Sequence, residues 1–178
     1  MQVGGQSKTL TFKFAYPTSL GTGTYFLIPQ ADTGNTIIEA NEANNVPDKA
    51  ALPQPNIQAA FIDLRAAAAT KPTGSLTPGG AASTTVTVEN SSNIPVNQNV
   101  TITLSFTTDA SGAGGTQVTQ ITKKLSIKNG ATKNVPIKFT IPANLAAGTY
   151  FVKADITALA GETSTTNNSV LSESIAIA

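Results

Sequence analysis

The sequence predicts an all-β protein: an immunoglobulin-like antiparallel β-sandwich, with one complete repeat plus the C-terminal part of a preceding repeat. Three observations lead there. Apolar and polar residues alternate over short stretches, the period of strands with one buried face. Pro, Gly and Asn punctuate those stretches at the spacing of a sandwich. One long segment also occurs twice.

The repeat organises the chain. Ser7-Lys8, Phe12-Lys13-Phe14, Pro17, Leu20 and Gly23-Thr24-Tyr25-Phe26 recur as Thr132-Lys133, Ile137-Lys138-Phe139, Pro142, Leu145 and Gly148-Thr149-Tyr150-Phe151, each 125 positions later. Glu39 and Asn44-Asn45 find counterparts in Glu162 and Asn167-Asn168 at an offset of 123, as a loop shortened by two residues would give. Residues 1–46 then form the C-terminal part of one repeat. Residues 47–55 carry three prolines, Pro47, Pro53 and Pro55, and form a semi-rigid linker. Residues 56–178 are the complete sandwich.

In the partial repeat, about three strands are expected, with Leu10, Phe12 and Phe14 on one face. In the complete repeat, Asn56–Leu64 opens as a strand. Ala66–Ala69 suits a helical turn and no more, because Lys71-Pro72 follows. Thr84–Asn90 places Val86 and Val88 on one face, and Val100–Phe106 does the same for Val100, Ile102, Leu104 and Phe106. Asp109–Gly115 is a glycine-rich connection. Val118–Ile127 is a less regular strand or pair, and Asn129-Gly130 a tight turn. Val135, Ile137, Phe139 and Ile141 form the next inward row. Tyr150, Val152, Ala154 and Ile156 follow, and Val170–Ala178 closes the fold. Common ancestry of the two matching tails requires Phe12 and Phe139 to have like surroundings.

Composition narrows the function. Of 178 residues 40% are hydrophobic, enough for a packed core, and only 12% are charged, about half the usual share. The net charge is +1 and basic residues are scattered, so no footprint for nucleic acid or an anionic membrane exists. No apolar run reaches the roughly 20 residues that span a bilayer, so no membrane insertion is expected. Gln2-Val3-Gly4-Gly5 does not read as a secretory leader. Cys and His are absent, which removes disulfides, thiolate metal sites and the commonest general base. A hydrolase would need a Ser–Lys or carboxylate pair, and no Gly-x-Ser-x-Gly elbow is present. Catalytic residues and cofactors are therefore expected to be none, with one exception to weigh.

That exception is the acidic-amide cluster Asp32, Asn35, Glu39, Asn41, Glu42, Asn44 and Asn45. Calcium takes six to eight hard oxygens, and a flexible hairpin can supply them. Asp32, Glu39, Asn41 and Glu42 are the candidate metal ligands. The competing reading has Asp and Asn closing turns while the glutamates face solvent, and the spacing matches no EF-hand. Asn44-Asn45 and Asn167-Asn168 are expected as structural amides that bond a neighbouring loop and pin the last strand. Tyr25 and Tyr150 are expected as corner tyrosines whose hydroxyl ties a loop while the ring packs. Asn90-Ser91-Ser92, Asn99-Val100-Thr101 and Asn167-Asn168-Ser169 are formal glycosylation sequons in a chain rich in these residue types.

Leu76-Thr77-Pro78-Gly79, followed by a Thr/Val alternation ending in Glu89-Asn90-Ser91-Ser92, resembles the opening of the bacterial cell-adhesion-related domain (CARDB). Gly148-Thr149-Tyr150 and Asn167-Asn168 resemble its closing hairpin. Gly23-Thr24-Tyr25, Asp32 and Ile38–Asn45 resemble it more fully. The resemblance covers 7–46 and 56–178. Glu162-Thr163-Ser164-Thr165-Thr166 departs from it, lacking the second acidic residue. The resemblance implies tandem, exported, surface-associated modules without catalytic activity.

Two functions stay open. One is a spacer or adhesion module of a repetitive extracellular or cell-surface protein or fibre, whose partners are neighbouring repeats or copies of itself. The other is a binding module that grips calcium, a glycan or another cell-surface protein with its loops. A partial repeat with exposed apolar rows either invites completion by a strand from another chain or is a window cut from a longer repeat protein.

Overall fold

The structure is a computed structural model and describes residues 7–17 and 19–178. The first six residues of the expected 1–46 piece, with the segment tested for a leader, lie outside it. Two compact units form, Met1–Ala59 and Ala60–Ala178.

In unit 1, β1 (Gly23–Thr24) pairs antiparallel with β2 (Asn56–Ile57). One-turn 3-10 helices at Glu42–Asn44 and Lys49–Ala51 are capped by the side chains of Asn41 and Asp48. Two expectations change here. Asn56-Ile57 does not open the sandwich: it closes unit 1, because its backbone pairs with Gly23 and Thr24. The strand expected through Leu10, Phe12 and Phe14 is not formed. Its match in unit 2 receives its ladder bonds from a neighbouring strand, and segment 8–16 has no such neighbour among the described residues. A lone extended segment cannot satisfy its backbone by itself.

Unit 2 is the antiparallel sandwich. Its strands are β3 (Leu64–Ala69), β4 (Thr73–Gly74), β5 (Ala81–Asn90), β6 (Val96–Thr107), β7 (Thr116–Ile127), β8 (Thr132–Thr140), β9 (Gly148–Ile156), β10 (Ser169–Leu171) and β11 (Ile175–Ile177). In one sheet β3 and β4 lie successively along β5, and β8 pairs with β5 over its whole length. The other sheet runs β10, β9, β6, β7, with β11 continuing along β9 beyond β10. Each sheet thus has one edge built from two short strands with an irregular step between them. Such steps blunt an edge against pairing with other chains.

The alternating rows meet in one core. Val86 and Val88 of β5, Val100 and Leu104 of β6, and Ala154 of β9 are all 0% exposed. Phe106 packs edge-on against Phe139 and Tyr150, with ring centroids 6.0 and 5.8 Å away. Each large side chain so buried stabilises the fold by roughly 1.5–3 kcal/mol. Ala66–Ala69 is strand, not helical turn: its backbone pairs with β5 around a bulge after Ala66, and that tertiary ladder outweighs alanine's helix preference. Val118–Ile127 is a single strand. At Asn129-Gly130 the turn is tight, with Gly130 at φ 68 and Ala131 N–H bonded to Lys128 O at 3.1 Å. It carries the chain from one sheet to the other rather than closing a hairpin.

Phe12 is 74% exposed and Phe139 7%. Their surroundings differ, so the like surroundings that common ancestry of the two tails requires are not found. What they share is local. Leu20 N–H bonds Pro17 O at 3.0 Å, as Leu145 N–H bonds Pro142 O at 3.0 Å. Ala31 N–H bonds Asn45 O at 2.9 Å, as Ile156 N–H bonds Asn168 O at 2.8 Å. Gly23 pairs with Ile57 and Thr24 with Asn56, as Gly148 pairs with Ile177 and Thr149 with Ala176.

Candidate functional site

The densest polar arrangement lies where the chain enters the sandwich. Residues 61–66 run between two loops and bond both. On one side Phe61 N–H meets Asn93 Oδ1 at 3.0 Å and Asp63 N–H meets Ser92 Oγ at 2.8 Å. Ser91 N–H bonds Asp63 O at 2.9 Å. On the other side Leu64 N–H donates to Glu162 Oε1 at 2.8 Å, and Thr163 N–H to Ile62 O at 2.8 Å. Asn167 Nδ2 reaches Asp63 Oδ1 at 3.0 Å, and Asn167 O accepts from Ala66 N–H at 3.0 Å.

Glu162 uses both oxygens, since Oε2 accepts from Leu159 N–H at 2.8 Å. A carboxylate facing two amide donors is a strong, directional acceptor. Asn90, fully buried, is the matching pin of the first loop. Its Nδ2 donates to Ile94 O (2.9 Å) and Ile127 O (3.1 Å), and its Oδ1 accepts from Ser92 N–H (3.1 Å). Burial also removes Asn90 as a glycosylation acceptor. The paired asparagines divide their work. Asn167 bonds across with its side chain. Asn168 is buried and pins β9 through its backbone carbonyl, while its own amide atoms have no partner.

The proposed calcium ligands are not gathered into a site. Asp32 Oδ1 accepts from Thr36 N–H (2.9 Å) and Oγ1 (3.0 Å), and Oδ2 from Ile37 N–H (2.9 Å). The Ile37 and then the Thr36 backbone bonds hold its carboxyl below the ordinary carboxylate value. Asn41 Oδ1 caps the helix by accepting from Ala43 N–H at 3.0 Å. Glu42 accepts from Glu39 N–H (2.9 Å) and, through its other oxygen, from Asn45 Nδ2 (3.3 Å). Each closes its own turn, and Asn44 lies exposed in the helix that Asn41 caps. No group of three or more carboxylates able to hold a metal ion forms among the described residues.

Tyr150 Oη donates to Ala146 O at 3.0 Å and Tyr25 Oη to Gly21 O at 2.9 Å, the same four-residue corner in each unit. Unit 1 also carries an apolar trough of about 690 Å³ lined by Leu10, Phe12, Phe14, Leu27, Ile28 and Leu52. Among the described residues, the exposed large hydrophobic side chains all lie between Leu10 and Val46. Sequence reading singled out Leu10, Phe12 and Phe14 for this. It missed Asp63, Asn90, Ser92 and Asn93 as pins, and Glu162 stood only as the counterpart of Glu39. The one signal was the Asn90-to-Asn93 polar run directly after an alternating strand.

No helix among the described residues is long and apolar enough to cross a membrane. No protein-family model matches the chain, and no curated protein matches it. Among solved structures, the chain is similar to the CARDB domain of a Pyrococcus furiosus protein, crystallised in complex with di-metal ions. Identity is 19%, coverage 70% of this chain and 95% of that one, and the TM-score 0.45. The solution structure of a CARDB domain from the same organism matches at 18% identity, over 66% of this chain and 95% of that one, with a TM-score of 0.43. A cycloisomaltooligosaccharide glucanotransferase from Paenibacillus matches at 23% identity and a TM-score of 0.40, over 67% of this chain and 14% of that one.

Proposed function

We propose that this chain is a non-catalytic structural module, a spacer or adhesion unit of a repetitive extracellular surface protein or fibre. One observation carries the reading: the polar side chains that could have faced a ligand at the sandwich's end are spent on the incoming strand. Asp63, Ser92, Asn93, Glu162 and Asn167 lace residues 61–66 between two loops. A pull on the chain at that point meets several bonds that must break together, together with the β3–β5 ladder. A surface rich in Thr, Ser and Asn and poor in charge also suits an exposed, weakly interacting spacer.

Force spectroscopy of the full chain tests this. Unit 2 should open in one cooperative event that releases roughly 400 Å of chain, and Glu162→Ala should lower the unfolding force. Titration calorimetry with calcium should give no heat. Gradual yielding at low force, or saturable calcium binding, would overturn the spacer reading in favour of a ligand-binding module.

A further inference from the structure

Among the described residues, four strand edges bound the sandwich of unit 2, and three of them carry a plain obstacle to a further strand. The β3/β4 and β10/β11 edges are each broken by a step. β8 holds Pro136 at its middle, which has no N–H to offer a neighbour, and Lys133 in the row of Val135, Ile137 and Phe139. The fourth edge is β7, the last strand of its sheet, paired with β6 on one side only. Its register slips once, where Val118 has no ladder partner between Gln117 and Thr119, and from Thr119 to Ile127 the ladder is regular. The inward row of that run is Thr119, Ile121, Lys123, Leu125 and Ile127. Leu125 and Ile127 are buried, and Ile121 packs against the core. Lys123, at the centre of the run, shares their row, and its ladder partner Val100 is 0% exposed. Its own side chain is exposed, and no ion pair neutralises it among the described residues.

We propose that β7 is a self-pairing surface held closed by Lys123. The strand it would accept is β7 of a second copy, antiparallel across a two-fold axis. The run itself points to this occupant. A two-fold centred on residue 123 sets Thr119 against Ile127, and Ile121 against Leu125, of the other copy. The whole run from Thr119 to Ile127 then finds a partner, and the apolar row of one core continues into the next. The central pair is Lys123 against Lys123. Like charges directly opposite each other in a sheet are destabilising, and the new neighbours would also bar both ammonium groups from water. Only even steps of register preserve which side faces the core, so sliding the copies keeps Lys123 in the inward row and no register escapes this cost. Inward-pointing charges on an edge strand are one means by which sheets avoid joining edge to edge. Lys124, next along the strand, lies in the outward row and would stay in solvent opposite Thr122. The inference goes beyond the spacer reading and does not rest on it.

Hydrogen exchange and sedimentation of the full chain test it, with Lys123→Val as the unguarded variant. In the native chain, the alternate amides of Thr119–Ile127 that point away from β6 should exchange fast at every concentration. In Lys123→Val those amides should slow about tenfold or more between ~10 µM and ~1 mM chain, as a two-copy species appears in sedimentation. Lys123→Thr is a second uncharged variant and should pair as well, while Lys123→Arg keeps the charge and should not. Lys124→Val, in the outward row, should behave as the native chain. All four changes fall at exposed positions, and the β9 amides report folding in each. The proposal is overturned if the two uncharged variants fold and leave β7 exchange independent of concentration, whatever else associates. It is equally overturned if Lys124→Val pairs as readily, or if the native chain already pairs through β7. None of these results alters the force response of a single tethered unit 2, so the spacer reading stands or falls separately.

Discussion

Removing the Glu162 carboxylate should cost unit 2 a large part of its stability. Glu162 accepts from Leu64 N–H and Leu159 N–H, each at 2.8 Å. The two amides differ in what they would find after Glu162→Ala. Leu159 is partly exposed, so water replaces the lost acceptor and the loss is about 1 kcal/mol. Leu64 is 0% exposed, and its N–H would be left without a partner, at about 1–3 kcal/mol. The sum is about 2–4 kcal/mol. At about 3–5 °C per kcal/mol for a domain of unit 2's size, Tm falls by about 6–20 °C. Glu162→Gln keeps one acceptor but turns an NH2 towards the other amide, so it should lose about half as much. Glu42→Ala serves as the control, because that exposed carboxylate closes only a local turn. Urea unfolding followed by tyrosine fluorescence reads all three, since the chain has no tryptophan. A loss below 0.5 kcal/mol for Glu162→Ala, on the scale of an ordinary surface change, would refute the argument that this carboxylate joins the incoming strand to the hairpin.

Asn90→Ala should destabilise unit 2 by about 2–4 kcal/mol, since it strands two carbonyls and an amide at a site with no exposed surface; the same urea series checks it. Tyr150→Phe removes only the hydroxyl bond to Ala146 O and keeps the ring against Phe106, so about 0.5–1 kcal/mol is expected in thermal unfolding. In unit 1, Asp32 has its carboxyl held below the ordinary value of 3.8, first by the Ile37 amide and then by Thr36. A depressed folded value contributes order that is complete above the ordinary value and is lost as pH falls through the lowered one. Amide exchange at Thr36 and Ile37 should therefore stay slow down to pH 3.8 and accelerate below it. Exchange that already accelerates near pH 5 would contradict the assignment.

The strands of unit 2 were legible because each presents one face to a single core. Val86 and Val88, and Val100 through Phe106, announce their inward side by alternation alone. Neighbour relations were not legible, and the errors follow from that. Ala66–Ala69 has no side-chain preference strong enough to resist β5, so its state is set by a strand some twenty residues away. Glu162 and Leu64 are separated by 98 positions, and no local pattern marks a carboxylate that serves so distant an amide. The acidic-amide cluster allowed two readings because Asp and Asn carry the same oxygens for closing turns as for holding a cation, and Asp32 and Asn41 accept from nearby backbone donors as the turn-closing reading expects.

Segment 8–16 separates pattern from structure most directly. Its sequence carries the alternation of β8 with Leu10, Phe12 and Phe14 in register, which makes it competent to be a strand on one side of a sheet. Competence is not formation. A strand's backbone groups are satisfied by its neighbours, and its inward row is buried by an opposing sheet, so neither gain is available to the segment alone. Phe139 has both, through β5 on its flank and Phe106 at 6.0 Å across the core. Phe12, occupying the matching register, has neither and stays 74% exposed. A nine-residue pattern of one kind thus gives a core strand in one context and an apolar surface in the other, and among the described residues the two contexts differ in whether a second strand pairs with it.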